Sequence, residues 1–494
     1  MSRFTDSFKY ILLLLITAIP IFGFLDNLPI RIWDESRVAV NALEMYYGKD
    51  YLVARFEGEP DMWNTKPPLI LWLQVLFMHL FGPGEIAIRL PSSFSVFFTC
   101  LALLLFCKRY LKNFWLGFIA VLCLITSNGY MGYHVARTGD YDAMLTLFTT
   151  VSSLFFYAFC ETKQTKYLYW FFAALTLGAF TKGVAALLFT PALAIYALFS
   201  IPPGYFFRNK HFYIGLFSFF VLILSFYFAR NAVNDTYIKM VHENELGGRF
   251  LESQGEHPFD FWRYYNNFIS MQYADRYLLI PCGMLVGGFS KDPRVKKFSL
   301  FVTLLTITFF IVISSSKTKL DWYDAPLYPW FAILVALFID LFFNVLRTAP
   351  ILLQSLKRNV TPYLLIMILF YIPYRETWRF TYAPEERSWD RDFYQMGAYL
   401  KDALRGNVHM HHKYIVYEEY KAHILFYVEI LQHQKVNTGF KSFDEIKKGD
   451  AILVSNDNTR EKIKQHFKCV EIRERGPVFT LIILDAKPEP IVKA

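Results

Sequence analysis

Long apolar runs alternate with short polar segments through the first 374 residues of the chain. Because no water satisfies backbone N–H and C=O groups inside a lipid bilayer, each such run predicts a membrane-spanning helix. Eleven spans are predicted, at residues 9–25, 90–108, 114–136, 141–160, 167–180, 183–200, 211–229, 272–289, 298–315, 324–346 and 360–374. No small-residue cleavage site follows the first run, so we interpret it as a retained span. The predicted fold class is an all-α polytopic membrane bundle.

The apolar run 68–81 is shorter, begins at Pro68 and ends at a Gly-Pro-Gly segment. These limits predict a juxtamembrane or re-entrant helix on the outer side rather than a twelfth span. The assignment puts five Lys- or Arg-rich connections on the cytoplasmic side, as the positive-inside rule requires, at 108–113, 161–166, 208–210, 290–297 and 346–359. A twelfth span at 68–81 would move all of this charge to the outer face.

With eleven spans, the segment after Tyr374 also lies outside. Its pattern predicts a small α/β domain over residues 375–494, following the membrane domain of residues 1–374. The predicted elements are a helix near 389–404, a strand at 413–420, a helix near 421–433, a strand at 451–456, a helix near 460–467 and strands ending in VFTLIIL.

Composition agrees with a membrane protein and excludes an ordinary soluble one. Hydrophobic residues make up 54% of the chain and aromatic residues 19%, and the mean hydropathy is +0.27. The formal net charge of +9 is explained mostly by the positive-inside bias, so nucleic acid is not a predicted partner. Five of the six cysteines lie within apolar runs, which predicts neither a disulfide framework nor a zinc site.

Acidic residues stand out at two places on the predicted outer face. Asp34 and Glu35 follow Trp33 in the first outer loop, residues 31–89, and Asp140 and Asp142 lie in ARTGDYD. Carboxylates beside a lipid boundary indicate chemistry or transport. The alternative for one of Asp140 and Asp142 is a helix N-cap, and Arg137 is close enough in sequence to pair with either acid.

Basic residues gather on the same face. Lys66 precedes two prolines, Lys182 interrupts an apolar stretch at FTKG, and SKTKLDWYD contains Lys317 and Lys319 with Tyr323. Ammonium groups at one membrane boundary are suited to bind a lipid phosphate or pyrophosphate. For Lys182 the alternative is simple snorkelling to the interface.

The outer loop 230–271 adds further polar candidates, namely Glu243, Arg249 and His257. Lone loop histidines are more often solvated than catalytic. A histidine cluster at 409–412 has no carboxylate or cysteine at ligand spacing, so it does not predict a physiological metal site.

Together these groups suggest one reaction. An acid can take the proton of an attacking hydroxyl while cations hold a departing phosphate, as sugar transfer from a polyprenyl phosphate requires. Such a donor needs no nucleotide site, and the chain contains no Gly-rich phosphate loop.

The order of motifs resembles the GT-C membrane glycosyltransferases, in the branch of the aminoarabinose transferases (ArnT-like) and protein O-mannosyltransferases. The resemblance extends to about Pro329 and rests on WDESRVAVNALEM, NTKPPLILWL, FGPGEIAIRLPS, ARTGDYDAML, FTKGVAALLFTP and SKTKLDWYDAPLYP. It implies that Asp34 is the base or orients the acceptor, with Asp142, or else Asp140, as a second acid. It also implies a donor-phosphate site, formed by Lys66, Lys182, Lys319 and Tyr323, with Arg55 assisting.

The resemblance further implies a possible divalent metal near His257, shared in aminoarabinose transferases with a glutamate just before the KPP lysine. Here that neighbour is Thr65, which puts the metal in doubt and suggests a different sugar or acceptor.

The predicted function is that of an inverting glycosyltransferase of a bacterial inner membrane, with its active site and C-terminal domain on the outer, periplasmic face. The predicted partners are an undecaprenyl-type donor, a lipid or protein acceptor and the bilayer. The acceptor is lipid A or another envelope glycan, with exported protein as the alternative. A lipid or solute transporter is the competing class, although the polar groups cluster at one end of the spans and no internal repeat is visible.

Overall fold

A computed structural model describes residues 2–132, 134–202, 204–247, 260–348, 356–384 and 391–487 of the protein. Within these ranges the chain forms a bundle of apolar helices followed by a small mixed α/β region. Thirteen of the longer helices precede residue 385: α1 Ser2–Phe22, α2 Asp34–Gly48, α3 Leu69–Phe81, α4 Glu85–Arg109, α5 Phe114–Ile125, α6 Asp142–Thr162, α7 Thr165–Lys182, α8 Thr190–Ser200, α9 Lys210–Val233, α10 Leu279–Gly288, α11 Pro293–Ser315, α12 Tyr328–Thr348 and α13 Leu356–Tyr382.

Six helical segments in the described ranges are long and apolar enough to cross a membrane, so the chain is a multi-pass membrane protein. They are Glu85–Arg109, Asp142–Thr162, Thr165–Leu187, Lys210–Val233, Pro293–Ser315 and Ala325–Arg347. Five further apolar helices are shorter, among them the 13-residue α3. At about 1.5 Å per residue α3 is about 20 Å long, less than the roughly 30 Å of a bilayer core. The total of eleven spans stays a prediction.

Several predicted spans have different limits, and two of the differences coincide with a local feature of the backbone. The span predicted at 114–136 is a helix only to Ile125. The C-cap residue is Thr126, whose carbonyl accepts a hydrogen bond of 2.6 Å from the Arg276 side chain. The span predicted at 183–200 begins with a 3₁₀ turn, because Gly183 has a φ of 54° and ends α7.

The C-terminal region contains helices α14 Arg391–Leu404, α15 Ala422–His433 and α16 Asp457–His466 around a five-stranded sheet. Its strands are β3 Lys413–Ile415, β4 Thr438–Phe440, β5 Ala451–Val454, β6 Phe467–Arg475 and β7 Val478–Ala486, after a two-stranded ribbon of β1 Arg55–Phe56 and β2 Glu59–Pro60. The sheet order is β4-β3-β5-β7-β6. Strand β3 is parallel to both of its neighbours, β4 and β5, whereas β7 is antiparallel to both of its neighbours, β5 and β6. The α/β class and three helices are confirmed, but the strand predicted at 413–420 ends at Ile415 and β4 was not predicted.

The α/β region packs directly on the first outer loop. One apolar cluster contains Val38 and Leu43 of α2 together with Tyr399, Phe426 and Leu431 of the C-terminal helices. The Tyr427 hydroxyl donates a 2.6 Å hydrogen bond to Glu85 Oε1 and accepts one from the Ile30 N–H. The region that carries Asp34 is therefore held between the membrane helices and the helices of the C-terminal region.

Candidate active site

Asp34 occupies the first turn of α2, presented by an unusual backbone. The preceding residue, Trp33, has a φ of 71°, which is costly for a bulky side chain. The Trp33 carbonyl accepts hydrogen bonds from the Arg37 N–H at 3.0 Å and the Ser36 hydroxyl at 2.8 Å. This places the Asp34 carboxylate at the positive end of α2 with its side chain 52% exposed.

His134 lies between two candidate acids. Its Nε2 is 3.3 Å from Asp34 Oδ2 and its Nδ1 is 3.5 Å from Asp140 Oδ2. The imidazole stacks on the Trp322 ring, with centroids 3.5 Å apart and planes 5° from parallel. The sequence candidates did not include His134. Its presence in the same outer segment as Asp140 was the only signal.

The pKa values of Asp34, His134 and Asp140 depend on one another. Burial opposes ionisation of Asp34, yet contact with His134 and the charges of Lys66 and Lys182 lower the pKa of this carboxyl well below its usual range. Burial also opposes charging of His134, but Asp140 and Asp34 raise the pKa of the imidazole. Both shifts favour the charged forms of Asp34 and His134, whose side chains are 3.3 Å apart.

Asp140 behaves in the opposite way. Burial, together with the charges of Asp34, Glu35 and Asp142, raises the pKa of Asp140 to about 7 against the opposing effect of His134. Neither of its carboxylate oxygens has a hydrogen-bond partner among the described residues. Asp140 is thus a buried acid close to half-protonation, next to Asp34 and His134.

Two lysines lie against acidic and aromatic partners. Lys182 Nζ is 2.6 Å from Asp142 Oδ1 and 5.1 Å from the centre of the Tyr323 ring. Lys66 Nζ is 3.0 Å from Glu245 Oε1. Asp142 is the first residue of α6, but the N-cap is Tyr141 and no side chain caps this helix, so neither Asp140 nor Asp142 is an N-cap.

These residues line a narrow polar cavity that adjoins two apolar ones. The polar cavity is lined by Asp34, Arg37, Val38, Trp63, Asn64, Lys66, His134, Asp140, Tyr141, Asp142, Lys182, Trp322 and Tyr323. A neighbouring cavity of about 230 Å³ shares Asp142, Lys182 and Tyr323 with the polar cavity and is otherwise mostly apolar. Its walls come from α6, from the segment 184–188 before α8 and from α11. A groove of about 580 Å³, walled mainly by α9 aromatic and aliphatic residues, shares Lys66. Both lysines therefore lie where polar and apolar space meet.

Glu35 lies in a buried ion pair, and its catalytic role stays a prediction. Its side chain is 1% exposed and pairs with Arg89 through two hydrogen bonds of 2.7 and 2.9 Å. It also accepts hydrogen bonds from the N–H groups of Arg31 and Gly139. Glu35 thus ties the start of α2 to α4 and to the segment that carries Asp140.

Other candidates lie away from the polar cavity. Arg55 pairs with Asp50 at 3.3 Å on the β1–β2 ribbon, Lys317 is exposed, and the exposed Glu243 is 3.8 Å from Lys239. Lys319 is buried and donates to the Ser316 carbonyl.

Two further expectations have different outcomes. Arg137 does not pair with the acids: its guanidinium donates to the carbonyls of Pro20, Gly23 and Phe24 at the end of α1. His257 and Arg249 lie outside the described residues, so the metal expected near His257 stays a prediction. In the part of the chain that is described, no group of three or more His, Cys, Asp or Glu residues has the arrangement of a metal site.

Comparison with known proteins identifies the architecture. A family model described as dolichyl-phosphate-mannose-protein mannosyltransferase matches residues 65–228. The crystal structure of ArnT from Cupriavidus metallidurans bound to undecaprenyl phosphate superposes with a TM-score of 0.72, covering 96% of this chain and 97% of that chain at 16% sequence identity. The fold is that of the ArnT-like GT-C glycosyltransferases.

Sequence relatives agree with this ArnT-like fold and confirm the resemblance. An undecaprenyl phosphate-alpha-4-amino-4-deoxy-L-arabinose arabinosyl transferase of Edwardsiella ictaluri is 25% identical over 325 residues, which are 62% of this chain and 55% of the relative. An uncharacterized protein of Aquifex aeolicus is 24% identical over 334 residues, 67% of this chain and 64% of the relative. The match thus spans less than two thirds of the length of either relative.

Proposed function

We propose that the protein transfers a sugar from a polyprenyl phosphate, such as undecaprenyl phosphate, to an acceptor at the outer face of a bacterial inner membrane. The observation that carries the proposal is the position of Lys66 and Lys182, which line both the Asp34 cavity and the apolar spaces beside it. A donor with an anionic headgroup and an apolar tail has the same two-part character. The ArnT structure bound to undecaprenyl phosphate supports the proposal by its shared fold.

In this proposal the lysines hold the donor phosphate and the apolar spaces hold the lipid tail. Glu245 and Asp142 neutralise the two ammonium groups in the structure described here. A donor phosphate replaces these carboxylates in part, which avoids leaving buried cations without an anion. The Tyr323 ring beneath Lys182 contributes a further cation–π contact.

The reaction is a single displacement. The acceptor oxygen forms a bond to the anomeric carbon while the bond from that carbon to the phosphate oxygen breaks. The electron pair leaves with the polyprenyl phosphate, which Lys66 and Lys182 stabilise. Displacement from the opposite face inverts the configuration at the anomeric carbon.

Asp34 takes the proton from an acceptor hydroxyl as the new bond forms. Its low pKa makes it a weak base for a resting hydroxyl, but the hydroxyl becomes strongly acidic once its oxygen bonds to carbon. The half-exposed carboxylate then returns the proton to water. If the acceptor is a phosphate, no proton needs removal and Asp34 orients the acceptor instead.

The acceptor separates two versions of this function. The description of the family model favours a protein acceptor, whereas the name of the arabinosyl transferase relative gives the donor alone, so lipid A, another envelope glycan and exported protein are compared directly. The test is mass spectrometry of lipid A and exported glycoproteins from cells with and without the gene, together with their polyprenyl-phosphate sugars. A sugar missing from one acceptor, with its lipid donor accumulating, supports the transferase and names the acceptor. Unchanged acceptors with altered sidedness of a lipid would replace the proposal with a transporter.

A further inference from the structure

An aromatic pair lies beside Asp34 and joins the two parts of the molecule. The Trp33 indole stacks on the ring of Tyr420, with centroids 4.9 Å apart and planes 14° from parallel. Tyr420 belongs to the segment between β3 and α15, and its hydroxyl donates to the Trp33 carbonyl at 3.3 Å. The C-terminal region therefore contributes a side chain directly next to the candidate active site.

Trp33 stays exposed in this contact, whereas Tyr420 is half-buried. Trp33 remains 56% exposed although Tyr420 covers one face of its ring. Trp63, which lines the polar cavity, is 57% exposed. Burial of both faces of the indole would stabilise the contact between the two regions further, because aromatic side chains contribute through the area that they bury. Exposed indoles beside a reactive carboxylate instead indicate a surface on which a ligand lies.

Membrane anchoring is the main competing explanation, because Trp is enriched at membrane interfaces. The partner of Trp33 argues against it. Tyr420 lies in the α/β region, and Lys421, the next residue, pairs with Glu57 of the β1–β2 turn at 2.7 Å. The stack thus belongs to a contact between polar extramembrane segments.

Polar groups accompany the rings. Arg37, one turn after Trp33 on α2, lines the cavity and donates two 2.8 Å hydrogen bonds to Asp61. Aromatic faces for C–H surfaces, next to fixed donors and acceptors for hydroxyls, suit a sugar ring, which has both kinds of surface. A peptide acceptor does not require a flat exposed ring at this point.

We propose that Trp33, supported by Tyr420, is a platform for a sugar ring of the acceptor, and hence that the acceptor is a saccharide. The inference rests on the proposed function. The donor sugar is bonded to the phosphate held by Lys66 and Lys182 and lies within the cavity that these lysines line. Trp33 precedes Asp34 on the side of the C-terminal region, so the ring stacked on it belongs to the acceptor.

The experiment measures binding of water-soluble hexosamine di- and trisaccharides to the detergent-purified full chain, alongside binding of undecaprenyl phosphate. Trp33→Ala is expected to weaken saccharide binding about tenfold, the scale of one lost ring stack, and to leave undecaprenyl phosphate affinity unchanged. Tyr420→Ala is expected to weaken it less. Tyr420→Phe keeps the stacked ring and is expected to bind as the wild type does.

Tyr414→Ala is the matched control, because this tyrosine of β3 contacts Lys441 rather than Trp33. If Trp33→Ala does not fold, Trp33→Phe and Tyr420→Ala carry the test. Unchanged saccharide affinity in folded Trp33→Ala overturns the platform. A Trp33→Ala variant that loses transfer to a peptide acceptor but keeps transfer to a saccharide overturns it as well. If Trp33→Ala weakens saccharide binding but the wild-type protein transfers no sugar, the platform is retained and the proposed function is overturned.

Discussion

The neighbouring residues Asp34 and Glu35 belong to two charge clusters that are built in opposite ways. In the Glu35–Arg89 pair both carboxylate oxygens and the guanidinium have hydrogen-bond partners: Arg89 donates to Glu35 and to the carbonyls of Leu25, Leu28 and Pro29. Around Asp34 the matching is incomplete, because the oxygens of Asp140 have no hydrogen-bond partner in the described ranges. A saturated cluster holds the fold, whereas an unsaturated one keeps capacity for a substrate.

The largest effect is expected on activity, from Asp34→Asn. The amide keeps the size of the side chain but cannot accept the acceptor's proton, so transfer should fall about a hundred- to ten-thousandfold. Because the Asp34 carboxylate contacts the buried His134 ring, transfer is expressed per folded protein and the stability of the variant is measured beside it. Transfer of a radiolabelled sugar from undecaprenyl phosphate and thermal unfolding in detergent measure the two quantities. Normal transfer by a well-folded variant would remove Asp34 from the reaction.

Glu35→Ala should show the reverse pattern. It leaves the Arg89 guanidinium buried without its anion, which should cost about 3–5 kcal/mol of unfolding free energy. The variant should therefore express poorly or melt early, and its remaining folded fraction should keep transfer activity. A variant with wild-type stability and no activity would instead assign Glu35 to the chemistry.

The same contrast between Asp34 and Glu35 shows which features of the site can be predicted from the sequence. The lengths of the apolar runs predict the helices. The positions of Asp34, Lys66, Asp142 and Lys182 next to lipid boundaries predict a functional site, because charged side chains at that depth are costly and usually functional. The ion pair of Glu35 was not predicted, because its partner lies 54 residues away on α4 and no local pattern shows such a pairing.

His134 was missed for a related reason. The span predicted at 114–136 includes His134, and only the packing of α2, the segment before α6 and Trp322 places this residue between two carboxylates. The same holds for Trp33 and Tyr420, which are 387 residues apart. Contacts between distant segments decide which polar residues act together.

Asp140 should give the site a pH-dependent stability. Its pKa of about 7 in the folded chain exceeds the value near 3.9 of an unfolded aspartate. The folded chain binds more protons between these values, so the free energy of unfolding falls as pH rises through this window. Asp140→Asn should reduce the fall by up to about 4 kcal/mol. Melting temperatures from pH 5 to 8 measure this pH dependence, with substitution of the exposed Asp485 (Asp485→Asn) as control. An equal slope of melting temperature against pH in the wild type, Asp140→Asn and Asp485→Asn would contradict the assignment.

The smallest effect is expected on donor affinity, from Lys66→Ala. Removing one of the two ammonium groups that line both polar and apolar space should weaken undecaprenyl phosphate binding about tenfold, as the loss of one charge-assisted hydrogen bond does. Lys317→Ala is the matched control, because sequence marked it as a phosphate ligand but its side chain is exposed. Added salt should weaken the wild type toward Lys66→Ala. Equal loss in both variants would mean that general positive charge, and not the position of Lys66, attracts the donor.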